Sequence, residues 1–496
     1  MNIFRRARAN SAQSPTAKKL KNPKRRRALY AAGLFAACLL LPTGILQLSV
    51  YRSNLAVAGE DFSPGPTFQT GDRLFFLVPH CDDETLGAGG IIADARARGI
   101  AVKIVFLTNG DASRTMQIAE DARNLRRTTY RQMAAMRQKE AIAALKKLGV
   151  PRGDIVFLGY PDGGTANLWR NNWSPTNLYK SPYTAADHSP YANSYSPRAP
   201  YCGSQVLRDV MALMADFRPT AVFSTHPADT HPDHWADYAF ARAALESLRL
   251  RSASQGWARR AKMLTFLIHH GAWPAPNGYY PDAKLSPPAA LKDLGTRWRQ
   301  VALDEKSRAA KTAALSCYVS QQTTTPRFLR SFLRRNELLG TVPTGIETPG
   351  QNRAFVTKDP MRDSMVHELW QAADIQSLTL MPGGASVKAR LTLSHRASRR
   401  ITYRFALHGV DGKTARAWMI NVRHIDKDFV ATARQDSAKE SQTWPAVRIA
   451  SGIEISIPRT ALGAANRPTT LLISATSLLG TRALDQSETS TLRLNK

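Results

Sequence analysis

Two short segments, far apart in the chain, are rich in imidazole and carboxylate side chains. The first is Pro79-His80-Cys81-Asp82-Asp83-Glu84, and the second is HPADTHPDH, which runs from His226 to His234. Side chains of these types supply the nitrogen and oxygen ligands of catalytic zinc sites, which use three protein ligands and keep one position open for water. Together the segments offer three ligands with a spare carboxylate and a spare imidazole, so they predict a metal site with acid–base groups beside it.

Each segment follows an apolar run that is typical of a buried strand. Leu74–Val78 precedes the first, and Ala221–Ser224 precedes the second. In an open parallel sheet, ligands bind beyond the carboxyl ends of the strands, which is where both segments lie. Taken singly, each has a simpler interpretation, because the aspartates could cap a helix and the histidines could be surface residues of a helical first turn. The equivalent position of the two segments favours one joint site.

The first segment, extended to PHCDDETLGAGG, resembles the PHPDDE-type signature of the N-acetylglucosaminyl-phosphatidylinositol de-N-acetylase (PIG-L, or LmbE-like) family of zinc deacetylases. The run HPADTHPDHWA is similar to the second signature of that family. Weaker similarities lie at residues 106–111, 158–164 and 318–321, so the resemblance covers roughly residues 70–325. Cys81 stands where the family usually has proline, and we expect this thiol to point away from the metal.

The resemblance implies a metal site and a substrate. His80, Asp83 and His234 would bind zinc, with another divalent metal as an alternative. The reaction would be hydrolysis of the N-acetyl group of an N-acetylhexosamine in a glycan or glycolipid. A glycan-binding protein with a structural or inert metal centre is the alternative function, but the spare aspartate and histidine favour the enzyme.

The resemblance also implies catalytic roles. Asp82 would be the general base, and His231 would stabilise the oxyanion or protonate the leaving amine. Asp233 would orient His231 and modify its charge. We expect His226 and Asp229 to hold the tautomers of the ligands. His269 and His270 end the last candidate strand, and one of them could line the pocket, although a structural role is favoured.

Length and charge restrict the class of protein. At 496 residues the chain is long enough for two folded domains, and 43% hydrophobic content indicates a globular protein. The net charge is +30, and residues 1–27 contribute ten basic and no acidic side chains to it. An anionic membrane or an acidic polysaccharide would suit this charge. Nucleic acid is not an expected partner, because no nucleic-acid-binding motif is present.

A segment without charges follows the basic run. Residues 28–50 are long enough for a transmembrane helix, which needs about 20 residues. Lys24–Arg27 would keep the N-terminus in the cytoplasm, so the catalytic region would be periplasmic or extracellular on a single-pass anchor. A cleaved signal peptide is the alternative. Within the globular part, Cys202 and Cys317 could form a disulfide or remain buried thiols.

Strand and helix patterns divide the rest of the chain. Strand-like runs alternate with helical stretches such as Gln132–Leu148, which predicts an α/β, Rossmann-like parallel sheet with helices on both faces. Residues 165–201 interrupt this rhythm with aromatic residues, which could form a lid over a glycan or pack against the domain. Short alternating runs near the C-terminus predict a β-sandwich-like domain. The predicted segments are a basic tail at 1–27, an anchor at 28–50, a linker at 51–70, a deacetylase-like domain at 71–340, a linker at 341–364 and an accessory domain at 365–496.

Overall fold

The computed structural model describes residues 47–112, 129–251, 256–348, 351, 353–360, 371–436, 438–464 and 467–495. The chain divides into two units, Met1–Arg52 and Ser53–Lys496, and all the sheets lie in the second unit. Over these residues we find no helix with both the length and the apolar character that crossing a membrane requires. The predicted tail at 1–27 lies outside the described residues, as does nearly all of the predicted anchor at 28–50.

Seven strands form the first sheet: β1 (Arg73–Val78), β2 (Ala101–Thr108), β3 (Ile155–Tyr160), β4 (Ala221–Thr225), β5 (Lys262–Phe266), β6 (Arg297–Ala302) and β7 (Asn336–Thr341). Their order is β3-β2-β1-β4-β5-β7-β6, and the first five are parallel. The predicted α/β class with a parallel sheet is confirmed for these five strands. The last two strands are antiparallel and make the sheet mixed.

The two antiparallel strands were missed for a physical reason. The stretch 304–339 is mostly helical, yet its last residues begin β7. Strand β6 lies at the sheet edge and alternates buried and solvent-facing positions, with Arg297 and Arg299 exposed. Such a strand has no continuous apolar run, whereas β1 and β4 are buried along almost their whole length and are easy to recognise.

Helices cover both faces of this sheet. Because successive strand residues point to opposite faces, Phe76 and Val78 pack into one buried cluster and Phe75 and Leu77 into another. The helices are α1 (Asp83–Ala97), α2 (Tyr130–Lys147), α3 (Thr165–Arg170), α4 (Gly203–Phe217), α5 (Pro232–Leu250), α6 (Gly256–Arg260), α7 (Glu305–Leu315), α8 (Val319–Thr324), α9 (Pro326–Arg330) and α10 (Arg459–Leu462). The first cluster includes residues of α1, α2 and α7, and the second includes residues of α3, α4 and α5.

Glycines allow α1 to lie very close to its neighbours. A Cβ atom at Gly87 would come within 2.1 Å of the ring of Phe266, at the end of β5. A Cβ atom at Gly90 would come within 2.5 Å of Leu303. Neither position can carry a side chain without a shift of the helix. The glycine-rich stretch after the first segment therefore determines how near the start of α1 lies to the ends of the central strands.

The C-terminal region is strand-rich and contains two further sheets, as the alternating patterns predicted at the coarser level. One has the order β16-β17-β11-β10-β9, the other β15-β14-β13-β12-β18-β20-β8, with β19 paired to β18. The buried residues of both contribute to one hydrophobic cluster. Their strands are β8 (Gly345–Ile346), β9 (Phe355–Lys358), β10 (Ile375–Pro382), β11 (Ser386–Leu393), β12 (Thr402–Val410), β13 (Ala415–Ile425), β14 (Asp428–Gln435), β15 (Gln442–Trp444), β16 (Ala446–Ile449), β17 (Gly452–Pro458), β18 (Thr469–Leu479), β19 (Arg482–Gln486) and β20 (Ser490–Leu494).

The predicted linker at 341–364 contains two of these strands. Strand β8 is two residues long and pairs with β20, and β9 is four residues long and pairs with β10. Strands this short carry too few residues to show an alternating pattern. The strand-rich region thus begins before residue 365, the boundary expected from the sequence.

The strand-rich region packs directly on the α/β region. Val410 and Leu472 belong to the same buried cluster as α4 and α5. Trp169 and Trp173, from the aromatic segment 165–201, lie against His408 of β12 with ring centroids 3.9 and 4.4 Å away. Both tryptophans are buried, so the packing interpretation applies to them.

A buried carboxylate joins the two regions electrostatically. Glu246 of α5 accepts hydrogen bonds from Nε and Nη2 of Arg493 in β20, at 2.8 and 2.9 Å. It also accepts from Nη1 of Arg249 at 2.6 Å. Burial alone would raise the pKa of Glu246, but the arginines outweigh it and lower the pKa to about 2.

Acid should weaken this junction. The folded-state pKa of Glu246 lies below the ordinary value of about 4.3, so its contribution to stability is present above pH ~4.3 and is lost as pH falls toward 2. We expect Glu246→Gln to lose roughly 3 kcal/mol at pH 7 and to show a flatter loss of stability between pH 5 and about 2.5. Denaturant unfolding across that range measures both. Parallel acid profiles for the variant and the wild type would contradict the assignment.

Candidate metal and catalytic site

The carboxyl ends of the five parallel strands meet at one cavity of about 480 Å³. Its lining includes residues that follow four of these strands: His80 after β1, Asp162 after β3, His231 after β4 and His269 after β5. Helices α1 and α5 both begin at this edge, so their N-termini place positive partial charge beside it. The two segments that the sequence singled out are therefore brought together.

Three atoms form a compact triangle at this cavity. His80 Nδ1 lies 3.1 Å from His234 Nε2 and 3.2 Å from Asp83 Oδ2, and His234 Nε2 lies 3.3 Å from the same carboxylate oxygen. A tetrahedral ion with bonds of about 2.0–2.1 Å has ligand atoms about 3.3 Å apart. These three side chains, all at most 8% exposed, fit a zinc-like ion without rearrangement.

Each histidine of the triangle has a carboxylate behind it. His80 Nε2 lies 3.1 Å from Asp162 Oδ1 and 3.3 Å from Asp233 Oδ2. His234 Nδ1 lies 3.1 Å from Asp229 Oδ2, which also accepts the backbone N–H of His269 at 2.9 Å. A metal-binding histidine commonly donates its other ring N–H to a carboxylate, which fixes the tautomer and the ring orientation. The arrangement leaves His80 Nδ1 and His234 Nε2 directed at a common point.

Protonation of the centre follows from these contacts. Burial alone would raise the pKa of Asp83, but the nearby His234 and His80 lower it to about 2. Burial opposes the charge on His80, yet Asp162, Asp233 and Asp83 raise its pKa well above the ordinary value. Asp83 is therefore a carboxylate at neutral pH, as a metal ligand must be.

Asp82 lines the cavity but has a different environment from Asp83. It precedes α1 without capping it, because its side chain accepts no hydrogen bond from the first turn. Its Oδ1 lies 3.3 Å from Nη2 of Arg137, which comes from α2. Burial raises the pKa of Asp82 to about 7, although Arg137 opposes the shift. A carboxylate with a pKa near neutrality can both accept and return a proton.

His231 is the N-terminal cap of α5. Its Nδ1 accepts the backbone N–H of Asp233 at 3.2 Å, so the remaining proton of the neutral ring is on Nε2. Burial and the neighbouring His80 and His234 lower its pKa to about 4. His231 is thus a neutral hydrogen-bond donor at the cavity.

The carboxylate of Asp233 does not lie where the sequence-based interpretation put it. It was expected to orient His231, but its oxygens accept from Gly163 N at 2.6 Å, Thr165 N at 3.0 Å and Thr165 Oγ1 at 2.5 Å. It also contacts His80. Asp233 lies in the first turn of α5, and its side chain reaches back to the loop after β3. Only its backbone N–H contacts His231.

His226 also lies elsewhere than expected. It stacks on Trp298 and contacts Thr296 Oγ1 at 2.9 Å, so it does not hold any of the predicted metal ligands. Asp229, which was expected to do the same, does hold one, because it contacts His234. His269 lines the cavity and stacks on Phe328. Its ring centroid lies 4.9 Å from that of His234. Asp83, His234 and His269 each offer one possible metal-ligand atom, and these three atoms lie within 4.8 Å of one another.

Two site residues had no role assigned from the sequence. Asp162 follows β3 as Asp82 follows β1, so its position at a strand end was the available signal. Arg137 lies in the middle of α2 and gives no local signal, because its place depends on how that helix packs. It bonds Gly110 O at 3.2 Å and, with the amide oxygen of Gln321 turned toward it, Gln321 at 2.7 and 2.8 Å.

The outer part of the cavity is lined by Tyr183, Thr324, Thr325 and Phe328. Tyr183 comes from the segment 165–201, so this one aromatic residue faces the cavity while the tryptophans pack inward. The thiol of Cys81 lies in the buried cluster on one sheet face, and Cys81, Cys202 and Cys317 are all free. The fold thus provides an open cleft with hydrogen-bonding and aromatic walls above the triangle.

Comparison with known proteins agrees with this arrangement. A sequence model described as "PIG-L: GlcNAc-PI de-N-acetylase" matches residues 75–245. A 1D-myo-inositol 2-acetamido-2-deoxy-alpha-D-glucopyranoside deacetylase of Mycobacteroides abscessus is 30% identical over 274 residues, which span 51% of this chain and 83% of that protein. The chain belongs to the PIG-L family. This confirms the resemblance seen in the two segments.

For other PIG-L relatives, this chain spans a smaller share of the relative's length. A deacetylase of the same name from Mycobacterium sp. (strain KMS) is 28% identical over 47% of this chain and 63% of its own length. For a second one, from Mycobacterium sp. (strain JLS), the chain spans 55% of the relative. Among solved structures, the zinc-inhibited form of teicoplanin deacetylase Orf2 is 19% identical with a TM-score of 0.35, over 54% of this chain and 97% of that one.

Proposed function

We propose that this protein is a zinc-dependent de-N-acetylase that acts on an N-acetylhexosamine unit of a glycan or glycolipid. The observation that carries the proposal is the triangle of His80 Nδ1, Asp83 Oδ2 and His234 Nε2, with edges of 3.1–3.3 Å, beside a cavity that His80 and Asp83 line. Membership of the PIG-L family and the deacetylase names of its relatives support the same reaction class. Zinc is proposed because two imidazoles and one carboxylate are ligands that suit it.

The side chains divide the chemistry of amide hydrolysis between them. A zinc ion bound there would polarise the acetyl carbonyl and acidify the attacking water. Asp82 takes the proton from the water as the oxygen bonds to the carbonyl carbon. His231 donates its Nε2–H to the carbonyl oxygen as negative charge develops. When the C–N bond breaks, Asp82 returns the proton to the amine nitrogen, so acetic acid and the free amino sugar leave.

Three residues position Asp82 and His80 for these steps. Arg137 holds Asp82 at 3.3 Å and is itself held by the backbone of Gly110, so the base faces the cavity. Asp162 and Asp233 hold the far side of His80. The neutral state of His231 favours the oxyanion role among the two that the sequence left open. A glycan-binding protein with an inert metal would need neither the base nor this donor.

One experiment tests the proposal. The purified protein is assayed for bound metals and for acetate release from a panel of N-acetylated glycans, glycolipids and free sugars. We expect about one divalent ion per chain, dominated by zinc, and release from at least one N-acetylhexosamine substrate. Chelation should abolish the release, and zinc should restore it. Glycan binding without acetate release by the zinc-loaded protein would favour the binding-protein alternative.

We also propose that the catalytic region lies outside the cytoplasm, anchored through residues 28–50. The support is the order of the sequence, in which Lys24–Arg27 precede a stretch without charges. A periplasm-dependent phosphatase reporter fused after Lys496 should be active, and a cytoplasm-dependent reporter at the same place should be inactive. The reverse pattern would contradict this orientation.

A further inference from the structure

A second cavity of about 480 Å³ lies at the junction of the α/β region and the strand-rich region. Its walls come from residues 227–230 before α5, from the start of α5 and from residues 483–488 of the strand-rich region. Its volume lies within the range of small-molecule sites, ~300–1,000 Å³. His80 and Asp83 of the metal triangle and the proposed base Asp82 line the other cavity and not this one, so the second cavity is a separate feature.

The wall contributed by the strand-rich region is acidic. Asp359, Asp485 and Glu488 line the cavity, and none of the lining residues that the structure describes is lysine or arginine. This contrasts with the chain as a whole, whose net charge is +30. Asp359 and Asp485 already have partners, so Glu488 is the acidic lining residue left to attract a cationic ligand.

The burial of Glu488 is a second, independent observation that points to a cationic ligand. Glu488 is only 6% exposed, and within the described part of the chain no hydrogen-bond donor contacts its carboxylate. Buried polar groups are rarely left in this state, because each costs free energy until a partner is supplied. A ligand that carries an ammonium group would supply that partner.

We propose that this cavity is a second saccharide subsite, which binds the protonated amino group of a de-N-acetylated hexosamine. The ammonium donates to a carboxyl oxygen of Glu488, and the sugar ring occupies the rest of the cavity. The identification of the ligand as an amino sugar rests on the proposed function, since that reaction makes a free amine on a sugar ring. The substrate class is then an oligomeric glycan, of which a deacetylated unit occupies this cavity.

The position of the cavity suits an oligomeric substrate. Asp229 lines the second cavity and His231 lines the first, two residues further along the same loop. The carboxylate of Asp229 in turn holds His234. A glycan held by one unit in the second cavity would therefore stay beside the metal centre while another unit reacts.

The test is direct binding to the full-length protein, measured by calorimetry at pH 6.5 in the Asp82→Asn background so that turnover of an acetylated sugar is slow. The ligands are glucosamine, N-acetylglucosamine, glucose and ethylammonium. We expect glucosamine to bind, with Glu488→Gln weakening it at least about tenfold. Glu440→Gln makes the same change at an exposed position of the strand-rich region and should leave the affinity unchanged.

Two further variants keep the test decisive. Ala483→Trp adds bulk at an exposed lining position, so it should block glucosamine even if Glu488→Gln does not fold. Tyr183→Ala alters the catalytic cavity and should leave this binding in place. Equal affinity for glucosamine and glucose, equal affinity for ethylammonium, or loss of binding in Tyr183→Ala alone would each overturn the proposal.

Failure of this subsite and failure of the proposed function give different results. The subsite is measured as binding of glucosamine, which has no acetyl group to release, whereas the function is measured as acetate release by the wild-type protein. Acetate release with glucosamine binding that ignores Glu488 overturns only the subsite. Neither measurement substitutes for the other.

Discussion

His80→Ala and His234→Ala are each expected to lose the bound metal and to lower acetate release by about 1,000-fold or more. The reason is that each removes one corner of a triangle whose atoms lie 3.1–3.3 Å apart, which leaves two ligands. Metal stabilisation of the reacting oxygen is worth several kcal/mol, and every 1.36 kcal/mol is tenfold in rate. Metal content by mass spectrometry and acetate release by a coupled assay measure the two effects.

His226→Ala is the matched control, because it removes an imidazole from the same segment. His226 contacts Thr296 and stacks on Trp298 instead of the triangle, so this variant should keep its metal. Full metal retention in both His80→Ala and His234→Ala would refute the ligand assignment. Metal loss in His80→Ala, His234→Ala and His226→Ala alike would show that the histidines of the two segments are needed only for folding.

Asp82→Asn is expected to keep the metal and to lower acetate release by at least about 100-fold. The amide preserves the shape of the side chain, but it cannot take the proton from the attacking water, and general base catalysis is typically worth ~10²–10⁴-fold. The loss should appear in kcat, with little change in KM, because the proton moves only as the reaction proceeds. Arg137 keeps its bonds to Gly110 and Gln321, so we expect the fold to persist.

Asp209→Asn is the control for Asp82→Asn. Asp209 is a buried carboxylate on α4 that accepts from Tyr160 and Ser196, away from the cavity, and its replacement should leave kcat unchanged. Two results would count against the role of Asp82. Metal loss in Asp82→Asn would make it a ligand, and wild-type activity would place the base elsewhere, with His231 the next residue to test.

The site was predictable where its signals are local. His80 and Asp83 follow the recognisable strand β1, His234 lies in the helix that follows β4, and parallel strands bring their carboxyl ends to one edge. The same reasoning could have assigned Asp162, which follows β3. Arg137 could not be found in this way, because its role depends on the packing of α2 against the loops. The carboxylate of Asp233 was misplaced for a related reason, since spacing on a helix does not show which neighbouring loop a side chain reaches.

The fold shows the same division. The five parallel strands and the alternating C-terminal strands are recognisable, because continuous apolar runs and period-two patterns are strong signals. The short strands β8 and β9 and the edge strand β6 are stabilised by their pairing with other strands, β8 with the distant β20, β9 with β10 and β6 with β7. Sequence alone also gives no means of seeing the acidic cavity, whose walls come from residues more than 200 positions apart.

The packing of α5 against the strand-rich region bears on how the protein can be cut. Val410 and Leu472 share one buried cluster with the α/β region, and Glu246 bonds Arg493 across the junction. A fragment that ends near residue 340 would present Trp169 and the apolar side of this cluster to water, and would leave Glu246 without Arg493. Such surfaces promote aggregation. Limited proteolysis should therefore yield an insoluble N-terminal piece rather than a working minimal enzyme, and expression should retain the whole of residues 53–496.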